Sequence, residues 1–123
     1  MKISHRHENQ ICIVSLEGGL IQKEVGDLKN YMLPLLEDKH TKTLVLNMKR
    51  IKDIDSAGIG MLVSIYKNIQ KRQQEGPDES QLVMVLCGLN QKCRKIFSMV
   101  QIDKIMKIYE TEEEVLADQG STL

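Results

Sequence analysis

Tryptophan is absent from this chain of 123 residues, phenylalanine occurs once and tyrosine three times. Such scarcity argues against the stacking platforms that hold single-stranded nucleic acid or sugars. An excess of one charge is missing too. Seventeen lysines and arginines stand against 17 aspartates and glutamates, so no overall field draws nucleic acid or an anionic membrane. Long apolar runs are lacking: the longest are strand-sized, too short for a membrane span, and the first seven residues hold no signal-peptide core. The three cysteines, Cys12, Cys87 and Cys93, form an odd set without close pairs, which fits a reducing compartment. These absences predict a cytoplasmic protein that binds neither nucleic acid nor membrane.

What is present suits one globular domain. Hydrophobic residues at 41% and charged residues at 28% are enough for a real core, so neither disulfides nor a structural metal is required. A turn at Glu8-Asn9-Gln10 joins two short strands, the second running Ile11 to Leu16 and ending at Glu17-Gly18-Gly19. Val25, Leu28, Met32, Leu35 and Leu36 recur at helical steps and predict a helix over 22–36, with Pro34 late in it. Thr43 to Asn47 and Leu82 to Cys87 read as strands buried on both faces. A helix from Ser56 to about Gln73 follows the first of these, and Glu75-Gly76-Pro77-Asp78-Glu79-Ser80 breaks it. Asn90 caps a third helix that turns Cys93, Ile96, Phe97 and Val100 inward. Ile105 to Tyr109 is a last strand, and Thr111 with Glu112, Glu113 and Glu114 opens a terminal helix. The expected architecture is α/β: a mixed sheet of about five strands and four helices, covered mainly on one face. The domain spans 1–117, and 118–123 reads as a frayed tail.

The chemistry concentrates at Asp53-Ile54-Asp55-Ser56-Ala57-Gly58-Ile59-Gly60, between a buried strand and a helix. Ser56 can cap that helix, a role typically worth about 1 kcal/mol. Gly58 and Gly60 in the first turns cost about 1 kcal/mol each relative to alanine, which close approach of another surface or tight packing on the sheet would explain. On a helical wheel Ile59, Leu62, Val63, Tyr66 and Ile69 make the core stripe. Ala57, Met61, Ser64 and Asn68 fall opposite with Ile65 at the border, so Met61 and Ile65 offer an adaptable patch beside Ser56. A phosphate on Ser56 would meet free amides at the helix end, and Asp53 and Asp55 would sharpen the local negative potential.

Val45-Leu46-Asn47, Asp55-Ser56-Ala57-Gly58-Ile59-Gly60 and the following Leu62 to Lys67 resemble the signature of bacterial anti-sigma factor antagonists, the STAS domain. The segment from Leu89 to Ile105, with Ile96-Phe97, resembles the family's third helix and its approach to the last strand. The resemblance implies that Ser56 is phosphorylated by a partner that is both anti-sigma factor and ATP-dependent serine kinase, of the ATP-binding histidine-kinase-like type. It also implies that a PP2C-type phosphatase reverses the modification, and that the unphosphorylated form binds the kinase and releases the sigma factor. Asp53, Asp55, Ala57, Gly58, Gly60, Met61 and Ile65 are then the expected partner-binding residues. One departure is Ile21, in Gly18-Gly19-Leu20-Ile21, where many members carry Gly-Glu-Leu-Asp.

Two other readings stand beside this one. The chain can be a constitutive STAS interaction module of a sensory, secretion-regulating or transport assembly, with Ser56 only a cap. It can also be a small phosphotransfer or nucleotide-binding enzyme using Asp53 and Asp55. No phosphate-binding lysine motif accompanies those aspartates, and Val63 stands where a dinucleotide fingerprint needs its third glycine. His5 and His7 share a strand face without an evident third ligand, and Cys87 and Cys93 lack zinc spacing. No catalytic residue, cofactor or metal is expected.

Overall fold

The computed structural model describes residues 1–75 and 82–120, without the side chains of 72–75, 119 and 120. Strands β1 (Lys2–Glu8) and β2 (Ile11–Leu20) form an antiparallel hairpin, with Asn9 at φ 55° in its turn. Helix α1 (Val25–Leu36) follows after a 3-10 turn over Gln22–Glu24. Then come β3 (Thr43–Ile54), α2 (Ser56–Glu75), β4 (Val83–Cys87), α3 (Gln91–Met99), β5 (Lys107–Tyr109) and α4 (Glu112–Gly120). The five strands lie in the order β1-β2-β3-β4-β5, with β2 to β5 mutually parallel. This is the mixed α/β sheet with four helices that the pattern predicts.

Period-two alternation sorts the strand side chains between two layers. Cys12, Val14, Leu16, Leu44, Leu46, Met48, Met84 and Leu86 face α1, α2 and α3 and bury Leu28, Met32, Leu62, Ile65, Ile69, Cys93 and Phe97. The other face carries Ile11, Ile13, Val45, Val85, Cys87 and Tyr109 under α4, which contributes Val115. Full burial of such a side chain contributes about 1.5–3 kcal/mol. All three cysteines are buried, and desolvation pushes the Cys87 thiol up to about 12, so they pack as small hydrophobes.

Several boundaries differ from the pattern. β2 does not stop at Glu17-Gly18-Gly19. It runs through to Leu20, because β3 also continues past Asn47 and the two strands keep pairing through register shifts at Ser15/Glu17 and Gly18/Gly19. Gly18 takes φ 120° there. The extension was hidden by its half-exposed polar residues, which break the apolar run without breaking the ladder. Val100 lies beyond α3 and is exposed, as is Ile105, so neither enters the core. Pro34 is accommodated in the last turn of α1, so the hydrogen bond it cannot donate is lost where the helix is already ending. Asp118 is helical rather than frayed: its carboxylate accepts hydrogen bonds from the Tyr109 hydroxyl and from Lys107 Nζ, which hold its pKa below the usual carboxylate range. Of the expected breaker, Glu75 ends α2 and residues 76–80 lie outside the described residues.

Two helix starts match their sequence cues. Asn90 Oδ1 accepts from Cys93 N at 2.8 Å, and Thr111 Oγ1 accepts from Glu114 N at 3.1 Å. Glu114 reaches back to the amide of Glu110 at 2.8 Å, so two donors near the start of α4 are satisfied together.

Candidate functional site at the start of α2

The junction between β3 and α2 is built around Asp55. Its amide donates to Leu20 O at 3.2 Å, at the end of β2. Its carboxylate accepts from Gly58 N at 2.9 Å through one oxygen and from Gln22 N at 3.0 Å through the other. One residue thus joins the end of β2 through its amide, and the 3-10 turn before α1 and the first turn of α2 through its carboxylate. The Gly58 amide, then the Gln22 amide, hold its pKa below the usual carboxylate range.

This corrects the expected cap. Asp55 is the N-cap of α2 and Ser56 is the first helical residue. An aspartate three residues before Gly58 has the right spacing to take the amide of the third helical residue, so the cue was present in Asp55-x-x-Gly58. Ser56 is exposed, and no hydrogen bond to its hydroxyl is found among the described residues. Its side chain is therefore not engaged in holding the helix end.

The two glycines separate into two roles. A Cβ on Gly58 would lie 2.0 Å from Leu20 O and 2.9 Å from Leu20 C, so glycine here lets α2 press against the end of β2. A Cβ on Gly60 would meet nothing within 4 Å, so that position is open on the surface. Tight packing at Gly58 also rotates the helix relative to the wheel. The innermost line is Gly58, Leu62, Ile65 and Ile69, while Ile59, Val63 and Tyr66 are only half-buried. Ile65, at 5% exposure, belongs to the core and not to a partner patch. The wheel missed this because a glycine carries no hydrophobicity to mark the closest contact.

The remaining expected site residues divide by exposure. Ser56 and Gly60 are exposed, together with Ser64, while Ala57 and Met61 are half-buried along one flank, Met61 packing against the main core. Ile59, Val63 and Tyr66, on the opposite flank of the helical wheel, also pack against that core. Gly58 is buried and offers no side chain to a partner. Asp53 is not a bare carboxylate: Lys92 Nζ lies 2.9 Å from its Oδ1, and that bond raises the lysine pKa. Lys92 comes from the first turn of α3, whose cap Asn90 also donates through Nδ2 to Ile51 O at 3.1 Å. Sequence spacing gave no signal for Lys92, because 39 residues separate it from Asp53. Ile21 precedes the 3-10 turn in extended conformation, and its side chain lies 3.6 Å from where a Cβ on Gly19 would be.

His5 and His7 do share a face of β1, with ring centroids 5.5 Å apart. His5 Nδ1 is 2.6 Å from the Tyr31 hydroxyl, and His7 Nε2 is 3.5 Å from Asp38 Oδ2. Among the described residues no group of three histidine, cysteine or carboxylate side chains is arranged to hold a metal ion. No described helix is long and apolar enough to cross a membrane.

The fold and the junction define a class: a small domain on a mainly parallel sheet that presents an exposed serine on the first turn of a surface helix. The STAS domain family matches residues 2–115, and the chain belongs to that family. It is 25% identical over 118 residues to the anti-sigma F factor antagonist of Paenibacillus polymyxa, covering 96% of this chain and 94% of that protein. A solved structure of a candidate anti-sigma factor antagonist from Thermotoga maritima superposes with a TM-score of 0.80 at 21% identity, over 94% of this chain and 92% of that one. The Bacillus cell fate determinant SpoIIAA, solved in its phosphorylated form, superposes with a TM-score of 0.68 at 17% identity, over 95% and 98% of the two chains.

Proposed function

We propose that this protein is an anti-sigma factor antagonist that works by partner switching, with Ser56 as the phosphoacceptor. Unphosphorylated, it binds an anti-sigma factor that is also an ATP-dependent serine kinase, and that partner lets go of its target. Phosphorylation of Ser56 blocks the complex, and a PP2C-type phosphatase restores it. The chain itself catalyses nothing and acts in the cytoplasm.

The observation that carries this reading is the division of labour between Asp55 and Ser56. Asp55 caps α2, so Ser56 is left exposed with its hydroxyl uncommitted. A kinase can reach that oxygen without dismantling the helix start. The open position at Gly60, one turn along, lets another backbone approach the same face. The resulting partner face is Ser56, Ala57, Gly60, Met61 and Ser64, with Asp53 at its edge; Gly58 shapes it from beneath and Ile65 takes no part. Relatives described as anti-sigma factor antagonists, and a fold neighbour solved in a phosphorylated form, support the same reading.

Purification from the native cell followed by intact mass and phosphosite mapping tests it. Phosphate on Ser56 in one growth state and not another, with an ATP-binding protein co-purifying with the unmodified form, is the expected result. Absence of phosphate under every growth condition would make Ser56 a surface residue and the protein a constitutive interaction module.

A further inference from the structure

We propose that Lys92 is the cation that receives the phosphate on Ser56, leaving Asp53 to do so. The inference rests on Ser56 being the phosphoacceptor and adds how the fold accommodates the charge.

A dianion at Ser56 does not arrive at an empty helix end. Asp55 already accepts from the Gly58 and Gln22 amides, so the adjacent residue presents a carboxylate whose charge occupies the site that free amides would otherwise offer. Like charges that close repel, and the phosphate needs a cation. Lys92 is held 2.9 Å from Asp53, three residues before Ser56, a stretch of chain that spans at most about 11 Å. Both members of that pair are mostly exposed, at 64% for Lys92 and 65% for Asp53, so the pair contributes little and exchanging its anion costs little.

Lys92 is also misplaced for its own helix. It lies in the first turn of α3, where the dipole disfavours a positive charge. Its position gains nothing from α3 and depends on an anion supplied by the end of β3. The backbone is anchored there by Asn90, which caps α3 and bonds Ile51 O, so the lysine remains beside the junction whichever anion it takes. A phosphate carries close to two charges, so it outcompetes the single charge of Asp53 once Lys92 reaches it. Asp53 is then released as an unpaired carboxylate, which adds to the negative potential that repels the partner.

The test uses the full chain with phosphoserine placed at 56 during translation, so no native kinase is involved, and a 31P NMR titration of the phosphate. Lys92→Ala should raise the phosphate's second pKa, ordinarily near 6, by about half a unit, and Lys92→Arg should restore it. Asp53→Asn should lower it, because it removes the carboxylate left unpaired beside the phosphate. Lys52→Ala removes an exposed cation next to Asp53 in sequence and should move the value less than half as far. Thermal unfolding of the unphosphorylated variants confirms that each is folded, and Lys92→Gln, which keeps the stem and removes the charge, carries the test if Lys92→Ala is not. An unchanged value in Lys92→Ala, equal shifts for Lys92→Ala and Lys52→Ala, or no fall in Asp53→Asn would overturn the proposal. These titrations are independent of whether the cell phosphorylates Ser56, so failure of the switch and failure of the Lys92 contact are distinguishable.

Discussion

Gly58 and Gly60 stand two residues apart on one helix and respond to substitution in opposite directions. Adding a methyl at Gly58 drives it into the carbonyl of Leu20, which is backbone and cannot swing aside. Gly58→Ala should destabilise the fold by about 1–3 kcal/mol, the usual range for overpacking. Gly60→Ala meets open space and should stabilise it by up to about 1 kcal/mol through helix propensity. Urea unfolding of the two variants checks both signs. Gly60→Ala should nevertheless weaken partner binding if another backbone comes close there, so stability and affinity would move apart. The motif's glycines, their spacing and Ser56 were legible in the sequence. Which glycine packs and which stays open was not, because that depends on where the end of β2 lies.

Among elements, α2 and α4 are both fastened at their starts by carboxylates, and both fastenings are sensitive to acid. Glu112, in the first turn of α4, bonds Arg6 at 2.7 Å and accepts from the Asn47 side chain, tying the helix to β1 and β3. The Arg6 bond first, then the Asn47 amide, holds its pKa below the usual carboxylate range. The unfolded chain therefore takes up that proton before the folded one as pH falls. Its stabilisation is complete above the ordinary glutamate range and is lost as pH drops through the lowered folded value. Glu112→Gln should cost about 2 kcal/mol at neutral pH, the range for hydrogen bonds to charged groups, and should flatten the acid limb of a stability-against-pH curve. Asp55 has the same sign, so Asp55→Asn should flatten that limb further.

The strands and helices themselves were readable from apolar periodicity and from the Asn90 and Thr111 caps. The ends of β2 and β3 were not, since Glu17 to Gly19 and Lys49 to Asp53 pair through backbone hydrogen bonds while most of their side chains face solvent. The face of α2 was rotated for a related reason. Burial there is set by the contact of Gly58 with Leu20, and that contact brings Ile65 inward. Ile59, Val63 and Tyr66 stay half-buried against the main core, which leaves Ser64 exposed beside Gly60 and Met61. Ser64→Glu, at an exposed position, should weaken partner binding at least tenfold with little loss of stability, read by calorimetry and thermal unfolding together. Ile65→Glu should instead unfold the domain.

For the whole molecule, one rigid sheet fixes the starts of α2 and α3 side by side at the end of β3, with α4 covering the opposite face. A change of charge at Ser56 therefore acts on a surface and not on the fold, since Asp55 keeps the cap throughout. The phosphorylated and unphosphorylated proteins should unfold at similar temperatures and differ in what they bind. The most direct measurement is calorimetric titration of the ATP-binding partner with the unmodified chain and with the chain carrying phosphoserine at 56. Binding of the unmodified form that weakens at least tenfold on phosphorylation, a change of about 1.4 kcal/mol or more, is the predicted result. Equal affinity for the two forms would contradict it.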